Sequence, residues 1–171
     1  IALQGTARAV AGQRVLVNGG GGGSGTFAIQ LAKRSGAHVT GVDNAAKLDL
    51  MRSVGADEVI DYRSEDFTRV DEPFDVILDV MGSLGWKGAL PLLSSTGRLV
   101  LITANLGDML ASTLNRRLFT GTSSEGLASM RRLVELHHKG GYTPVVGPVL
   151  PFDHLAEAHR IAESFHNPGN L

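Results

Sequence analysis

Five consecutive glycines followed by Ser24-Gly25 occupy positions 19–25, and what flanks them decides what they can be. Before them stands Arg14-Val15-Leu16-Val17-Asn18, a β-branched run of strand length. After them, Thr26 to Ser35 carries Phe27, Ile29, Leu31 and Ala32 along a helical stripe, and Gly36 stands at the C′ position. A flexible Gly/Ser linker has a similar composition, but linkers are not bounded on both sides by core-forming elements. The run therefore reads as a tight strand-to-helix turn. Within it Gly20, Gly22 and Gly25 fit Gly-x-Gly-x-x-Gly. That pattern is weak alone. After a strand and before a helix, with a second strand one helix later, it is the fingerprint of a dinucleotide-binding turn. Gly20 then allows the turn, Gly22 lets the backbone approach a pyrophosphate, and Gly25 lets the helix pack on the strand. The free amides and positive dipole end of the helix, near Ser24 to Phe27, receive the phosphates.

The same alternation of short apolar runs and amphipathic stretches continues along the chain. Strands are predicted at 38–42, 58–60, 74–80, 99–103 and 117–122. Helices are predicted at 46–54, 84–93 (carrying Pro91), 128–138 and 152–165. In the helix at 128–138, Met130, Leu133, Val134 and His137 should face one side. The last should be capped by Asp153 and packed through Leu155, Ala158, Ile161 and Ala162. Residues 142–151 read as extended. The pattern implies an α/β Rossmann fold: a doubly wound, parallel six-stranded sheet with helices on both faces, in one domain over residues 1–171. The chain opens at Ile1 inside a helix-like stretch (Ile1 to Val10) and stops at Asn170-Leu171, so an excised domain of a longer parent is expected.

Composition narrows the classes. Apolar residues make up 43%, charged residues 19%, and the formal charge is -1, so there is no basic surface for nucleic acid. There are no cysteines, which removes disulfides and thiolate zinc sites from these residues. No apolar window long enough to span a membrane and no secretory leader is visible, so no membrane partner and a cytoplasmic location are expected.

Rival chemistries can be weighed residue by residue. A P-loop needs Lys-Ser or Lys-Thr after its last glycine, where this chain has Thr26. A methyltransferase also has a glycine turn and an acid after its second strand, and stays open at this point. Asp43 ends the second strand, where an acid accepts hydrogen bonds from the adenosine ribose and favours NAD. Its plainer role is a helix N-terminal acid. Lys47 pulls toward a 2′-phosphate, although a solvated surface lysine is the commoner role. A charge-assisted bond at Asp43 against an exposed lysine pair leans to NAD by about tenfold. Tyr-x-x-x-Lys fails at both tyrosines, since Tyr62 meets Asp66 and Tyr142 meets Val146. Ser94-Ser95 and Ser123-Ser124 lack elbow glycines. His137, His138, His154 and His159 do not share a face suited to a metal, and none is predicted. Asp75 and Asp79 read as structural acids at the ends of a strand. No catalytic residue is assigned.

Chained motifs carry a more specific signal. Gly12 to Asn18, the glycine turn, Leu50-Met51-Arg52-Ser53-Val54-Gly55-Ala56-Asp57-Glu58-Val59-Ile60-Asp61-Tyr62, Asp79-Val80-Met81-Gly82 and Gly97 to Ile102 closely resemble the medium-chain dehydrogenases/reductases. The nearest branch looks like the bacterial quinone oxidoreductase and zinc-type alcohol dehydrogenase-like proteins. The resemblance implies a two-domain parent with a GroES-like catalytic domain that holds the catalytic residues and any zinc. It implies Gly20, Gly22, Gly23, Ser24 and Gly25 at the pyrophosphate, and Val80, Met81, Thr103 and Ala104 near the nicotinamide. Lys47 and Tyr62 resemble the lysine and tyrosine that its NADPH-binding reductases place at the 2′-phosphate. Asp43 resembles the ribose-binding Asp of the NAD-dependent alcohol dehydrogenases. Glycine at 19–21 departs from the alanine usual in this branch. The expected function is hydride transfer between NAD(P)H and an alcohol, enone or quinone. The alternative is a non-catalytic dinucleotide-binding module. A homodimer paired through the extended Val145 to Leu150 is also expected, since exposed strand edges tend to pair.

Overall fold

A computed structural model describes residues 9–120 and 126–164. Most of the predicted Ile1 to Val10 helix, the end of the predicted sixth strand, Ser123-Ser124, Phe165 and the chain end at Asn170-Leu171 lie outside the described residues. Six strands form one parallel sheet: β1 (Arg14–Asn18), β2 (His38–Asp43), β3 (Glu58–Asp61), β4 (Phe74–Asp79), β5 (Leu93–Leu101) and β6 (Leu118–Thr120). Their order across the sheet is β3-β2-β1-β4-β5-β6. This is the doubly wound Rossmann order, with its switch point between β1 and β4.

The strands read as continuous apolar runs because both faces are covered. Side chains alternate across the sheet. Val15, Val17, Val76 and Leu78 pack on one side with Ala28, Ile29 and Ala32 of α1 (Gly23–Arg34) and Met51 of α2 (Leu48–Ser53). Leu16, Ile77, Leu99 and Leu101 pack on the other side with Ala89 of α3 (Gly85–Ala89) and with Leu92 and Leu118. α1 begins three residues earlier than its stripe suggests, inside the glycines. Phe27 leaves that stripe and meets Tyr142 edge-on, ring centroids 4.7 Å apart.

Several boundaries shift for local reasons. Pro91 has no N–H to continue an α-helix, so α3 gives way to a 3-10 turn at Leu90–Leu92. β5 starts at Leu93 rather than 99, because its register against β4 breaks between Phe74 and Val76. Arg117 holds that detour, donating from Nε to Gly97 O (2.8 Å) and from Nη2 to Ser94 O (2.6 Å). α4 (Leu106–Leu114) has no counterpart in the sequence reading. Its signal is a reciprocal capping box between Asn105 and Asp108, at the spacing such boxes use.

The C-terminal third departs furthest from expectation. α5 (Leu127–His138) and α6 (Leu155–Glu163) bury no residue. Met130 and Val134 of α5 are exposed, and on α6, where packing is expected, Leu155 is exposed while Ala158 and Ile161 are only half-buried. Asp153 falls in a 3-10 turn and caps nothing with its side chain. Residues 145–150 form no strand of the sheet, whose edges are β3 and β6, and Val146 and Val149 stand exposed. The preceding segment docks on α1 through paired bonds between Gln30 and the Thr143 backbone (3.0 and 2.8 Å).

Asp57 ties α1, β2 and the approach to β3 together. Its carboxylate accepts two bonds from Lys33 Nζ (2.7 and 2.8 Å) and one from the Val39 N–H (2.7 Å). Partial burial pushes its pKa up, but the Lys33 and Val39 bonds, with the charges of Lys33 and His38, outweigh that and hold it below 3.8. A carboxyl depressed on folding stabilises the fold above its unfolded pKa and stops doing so as pH falls through the folded value. Acid titration of the fold by circular dichroism should show stability draining below about pH 4. Asp57→Asn should lower neutral-pH stability and flatten that limb; an unchanged acid limb would remove Asp57 from this role.

Candidate cofactor-binding site

The glycine turn sits at the carboxyl ends of β1 and β2, and each glycine in it answers a different contact. Gly19 has φ +85°, so the residue that needs left-handed freedom is Gly19 and not Gly20. The Gly19 and Gly20 N–H groups both donate to Val42 O (2.9 and 3.0 Å), anchoring the turn on β2. A Cβ at Gly20 would lie 2.6 Å from Met51 Sδ, so close packing is what requires glycine there. A Cβ at Gly21 would lie 2.5 Å from Lys47 Cβ. At Gly25 it would overlap Gly19 O and the Gly20 backbone, as expected where the helix crosses the strand.

Gly22 is the exception. Its φ of -85° suits any residue, and a Cβ there would meet nothing nearer than Gly19 O at 3.8 Å. Steric demand within the chain does not explain this glycine, whereas a ligand at that surface would. Gly22 is also the N-cap of α1, which has no side-chain cap and no acid in its first turn. The first-turn amides of Gly23, Ser24 and Gly25 have no intrahelical acceptor, and Ser24 is exposed. An anion fits this end of the helix. The residues present therefore fit a dinucleotide pyrophosphate.

Beside the turn, a cleft of about 520 Å³ opens at the switch point. Asp43, Lys47, Tyr62 and Met81 line it, with Asn18, Asn44, Phe67, Thr68 and Ser83, none of which the sequence reading singled out. Tyr62 and Met81 are about half exposed. Asp43 is buried and its oxygens are engaged by the chain itself. Oδ2 accepts from the Gly21 N–H (2.9 Å), and Oδ1 from the Asn44 N–H (2.8 Å) and Asn44 Nδ2 (3.2 Å). Lys47 is not the solvated surface lysine that is commonest. It is 4% exposed, with Nζ 3.5 Å from Asp43 Oδ1.

The opposite wall depends on Asp79, fully buried at the end of β4. Its Oδ1 accepts from Asn18 Nδ2 (2.8 Å) and the Gly82 N–H (2.9 Å), and its Oδ2 from the Leu84 and Gly85 N–H groups (3.1 and 3.2 Å). Asp75 accepts from the Arg14 N–H and Ser94 Oγ (both 3.0 Å). Both acids are structural, as their spacing suggested. The loop so held turns through Gly82 and Gly85, at φ +71° and +58°. It leads to Trp86, whose backbone N–H donates to buried Asp108 (3.0 Å). Thr103 Oγ1 donates to Val80 O (3.0 Å), which ties the ends of β4 and β5 together. Ala104 packs against the core on the β5 side, and neither Thr103 nor Ala104 lines the cleft.

Among the described residues no group of three His, Asp or Glu could hold a metal, and the chain has no cysteine. The family resemblance places any zinc in the parent's other domain and not among these residues. No described helix is long and apolar enough to cross a membrane.

Sheet order, switch-point cleft and glycine turn together define a Rossmann-type α/β domain. Residues 54–171 match the family model described as zinc-binding dehydrogenase. The chain belongs to that family, within the medium-chain dehydrogenase/reductase superfamily. The bovine (Bos taurus) mitochondrial NAD(P)H oxidoreductase RTN4IP1 is 33% identical over 92% of this chain and 47% of its own length. The Coxiella burnetii quinone oxidoreductase structure superposes with TM-score 0.84 at 24% identity, covering 98% of this chain and 54% of that one. A putative alcohol dehydrogenase from Sinorhizobium meliloti 1021 gives TM-score 0.80 at 27% identity, covering 98% and 52%. This chain thus spans about half the length of the proteins it matches here.

Two glycines separate site from scaffold. Gly22→Val should leave the fold intact and abolish dinucleotide binding, read by calorimetry with NADH and NADPH. Gly25→Ala should lower stability by about 1–3 kcal/mol or more in a denaturant titration, because its Cβ meets backbone that cannot yield. Parental affinity in a folded Gly22→Val variant would remove the turn from the site.

Proposed function

We propose that this chain is the cofactor-binding domain of an oxidoreductase that moves hydride between NAD(P)H and an alcohol, enone or quinone. The observation that carries the reading is the open space at Gly22, at an uncapped helix N-terminus in the same turn whose Gly19 lines the switch-point cleft. The amides of Gly23, Ser24 and Gly25 would hold the pyrophosphate, with Gly22 leaving room for it and Gly20 setting the turn against Met51. Asp43, Lys47 and Tyr62 lie toward the adenosine end, and Val80, Met81, Thr103 and Ala104 toward the nicotinamide. When bound, the dinucleotide supplies or accepts the hydride; the protein fixes its orientation and shields it from water.

Names among the relatives support the nicotinamide: one is an NAD(P)H oxidoreductase and another a quinone oxidoreductase. The sequence-based lean to NAD rests on Asp43. Lys47 offsets its charge at 3.5 Å, which weakens the sequence-based lean to NAD, so both dinucleotides are carried forward. Groups that bind substrate are assigned to the part of a longer parent that relatives of twice this length would supply. Homodimer formation stays part of the proposal, without residues 145–150 as its strand.

Calorimetry should find NADH or NADPH binding to the 171-residue chain, while the same chain turns over neither quinones nor alcohols. Binding of neither dinucleotide would overturn the site. Robust turnover by this chain alone would show that it carries substrate-binding groups not assigned here.

A further inference from the structure

Asp43 stands where an acid would meet the adenosine ribose, yet in the folded chain its two oxygens serve the protein. Oδ2 takes the Gly21 N–H at 2.9 Å, and Oδ1 takes the Asn44 N–H at 2.8 Å. Gly21 is the middle of the glycine turn, so this bond joins the end of β2 to the loop itself. The Gly19 and Gly20 N–H groups are already tied to Val42 O, one residue before Asp43. Three successive amides of the turn are thus held by two successive residues of β2. Gly22, where the open surface lies, follows directly.

The second observation is independent of that bond. The stem of Lys47 covers Gly21 so closely that a Cβ there would lie 2.5 and 2.6 Å from its Cβ and Cδ. Lys47 Nζ comes to 3.5 Å of Asp43 Oδ1, with both side chains under a tenth exposed. The turn is therefore gripped from two sides, by the carboxylate through an N–H and by the lysine stem through packing.

We infer that Asp43 is a positioning residue. It fixes the glycine turn in the shape that receives the pyrophosphate, and does not serve chiefly as the ribose ligand that selects NAD. The inference rests on the dinucleotide reading of the site, which it deepens. It separates two mechanisms by their symmetry. A ribose ligand acts on NADH and is neutral or repulsive toward NADPH; a residue that shapes the pyrophosphate cradle acts on both, because both carry the same pyrophosphate.

The test uses the full chain, with NADH and NADPH affinities by calorimetry and amide hydrogen exchange at Gly21. Asp43→Ala should weaken both dinucleotides by about tenfold or more and speed Gly21 exchange, while Val17 and Val39 stay protected. Asp43→Asn keeps one oxygen for the Gly21 N–H but sets an amide NH2 against the Asn44 N–H, so it should keep the Gly21 amide protected and shift NADH and NADPH affinity alike. Loss of NADH affinity alone in Asp43→Ala, or a Gly21 amide unchanged in it, overturns the inference. If Asp43→Ala does not fold, Asp43→Asn decides: loss of Gly21 protection in it, or a loss of affinity confined to NADH, is fatal. A parent that binds neither dinucleotide defeats the proposed function instead, and Gly21 exchange still reports whether the grip exists.

Discussion

The approach of α1 to β1 at Gly25 is the constraint from which the rest of the site follows. Only a residue without Cβ lets the helix backbone sit against Gly19 O and Gly20. That approach aims the helix N-terminus at the carboxyl edge of the sheet. It also leaves the chain between strand and helix too short to wander, so the turn must hydrogen-bond locally or leave buried amides unpaired. The bonds from Gly19 and Gly20 to Val42 and from Gly21 to Asp43 are the solution this chain adopts. Close packing, turn shape and anion site are one arrangement.

Buried acids complete it. Asp79 and Asp108 lie inside the protein and face backbone N–H groups, the arrangement that lets a carboxylate remain buried. Each organises a loop rather than a catalytic step. Asp79 gathers the Gly82–Gly85 stretch under the cleft, and Asp108 joins the first turn of α4 to that of α3.

Much of this was legible in the sequence. Strand-length runs such as Val15-Leu16-Val17 and Val76-Ile77-Leu78 are apolar on both faces, as a covered parallel sheet requires, so the fold class followed. The glycine turn was legible as a strand-to-helix turn because its flanks were. The division of labour within it was not: that Gly19 takes the left-handed φ and Gly20 makes room for Met51 depends on residues distant in sequence. Lys47 shows the same limit, since a lysine that lies along Gly21 looks like any exposed one in a linear pattern. α4 was missed because its periodicity is short and its clearest mark, Asn105 with Asp108, is a capping pair rather than an apolar stripe. In α5 and α6 the stripes were read correctly as helical. Burial did not follow, because periodicity reports an apolar face and not what covers it.

Trp86 is the only tryptophan in the chain, and its placement has an optical consequence. It follows the loop that Asp79 holds and that lends Ser83 and Leu84 to the cleft, its amide is fixed on Asp108, and Lys87 Nζ lies 5.6 Å from the ring centroid. Indole emission depends on local polarity and nearby charge, and the half-buried Trp86 ring packs against the core face that holds Leu16, Ile77 and Leu99. The fold thus carries a single indole next to the loop that Asp79 holds, and its emission reports how that loop is packed.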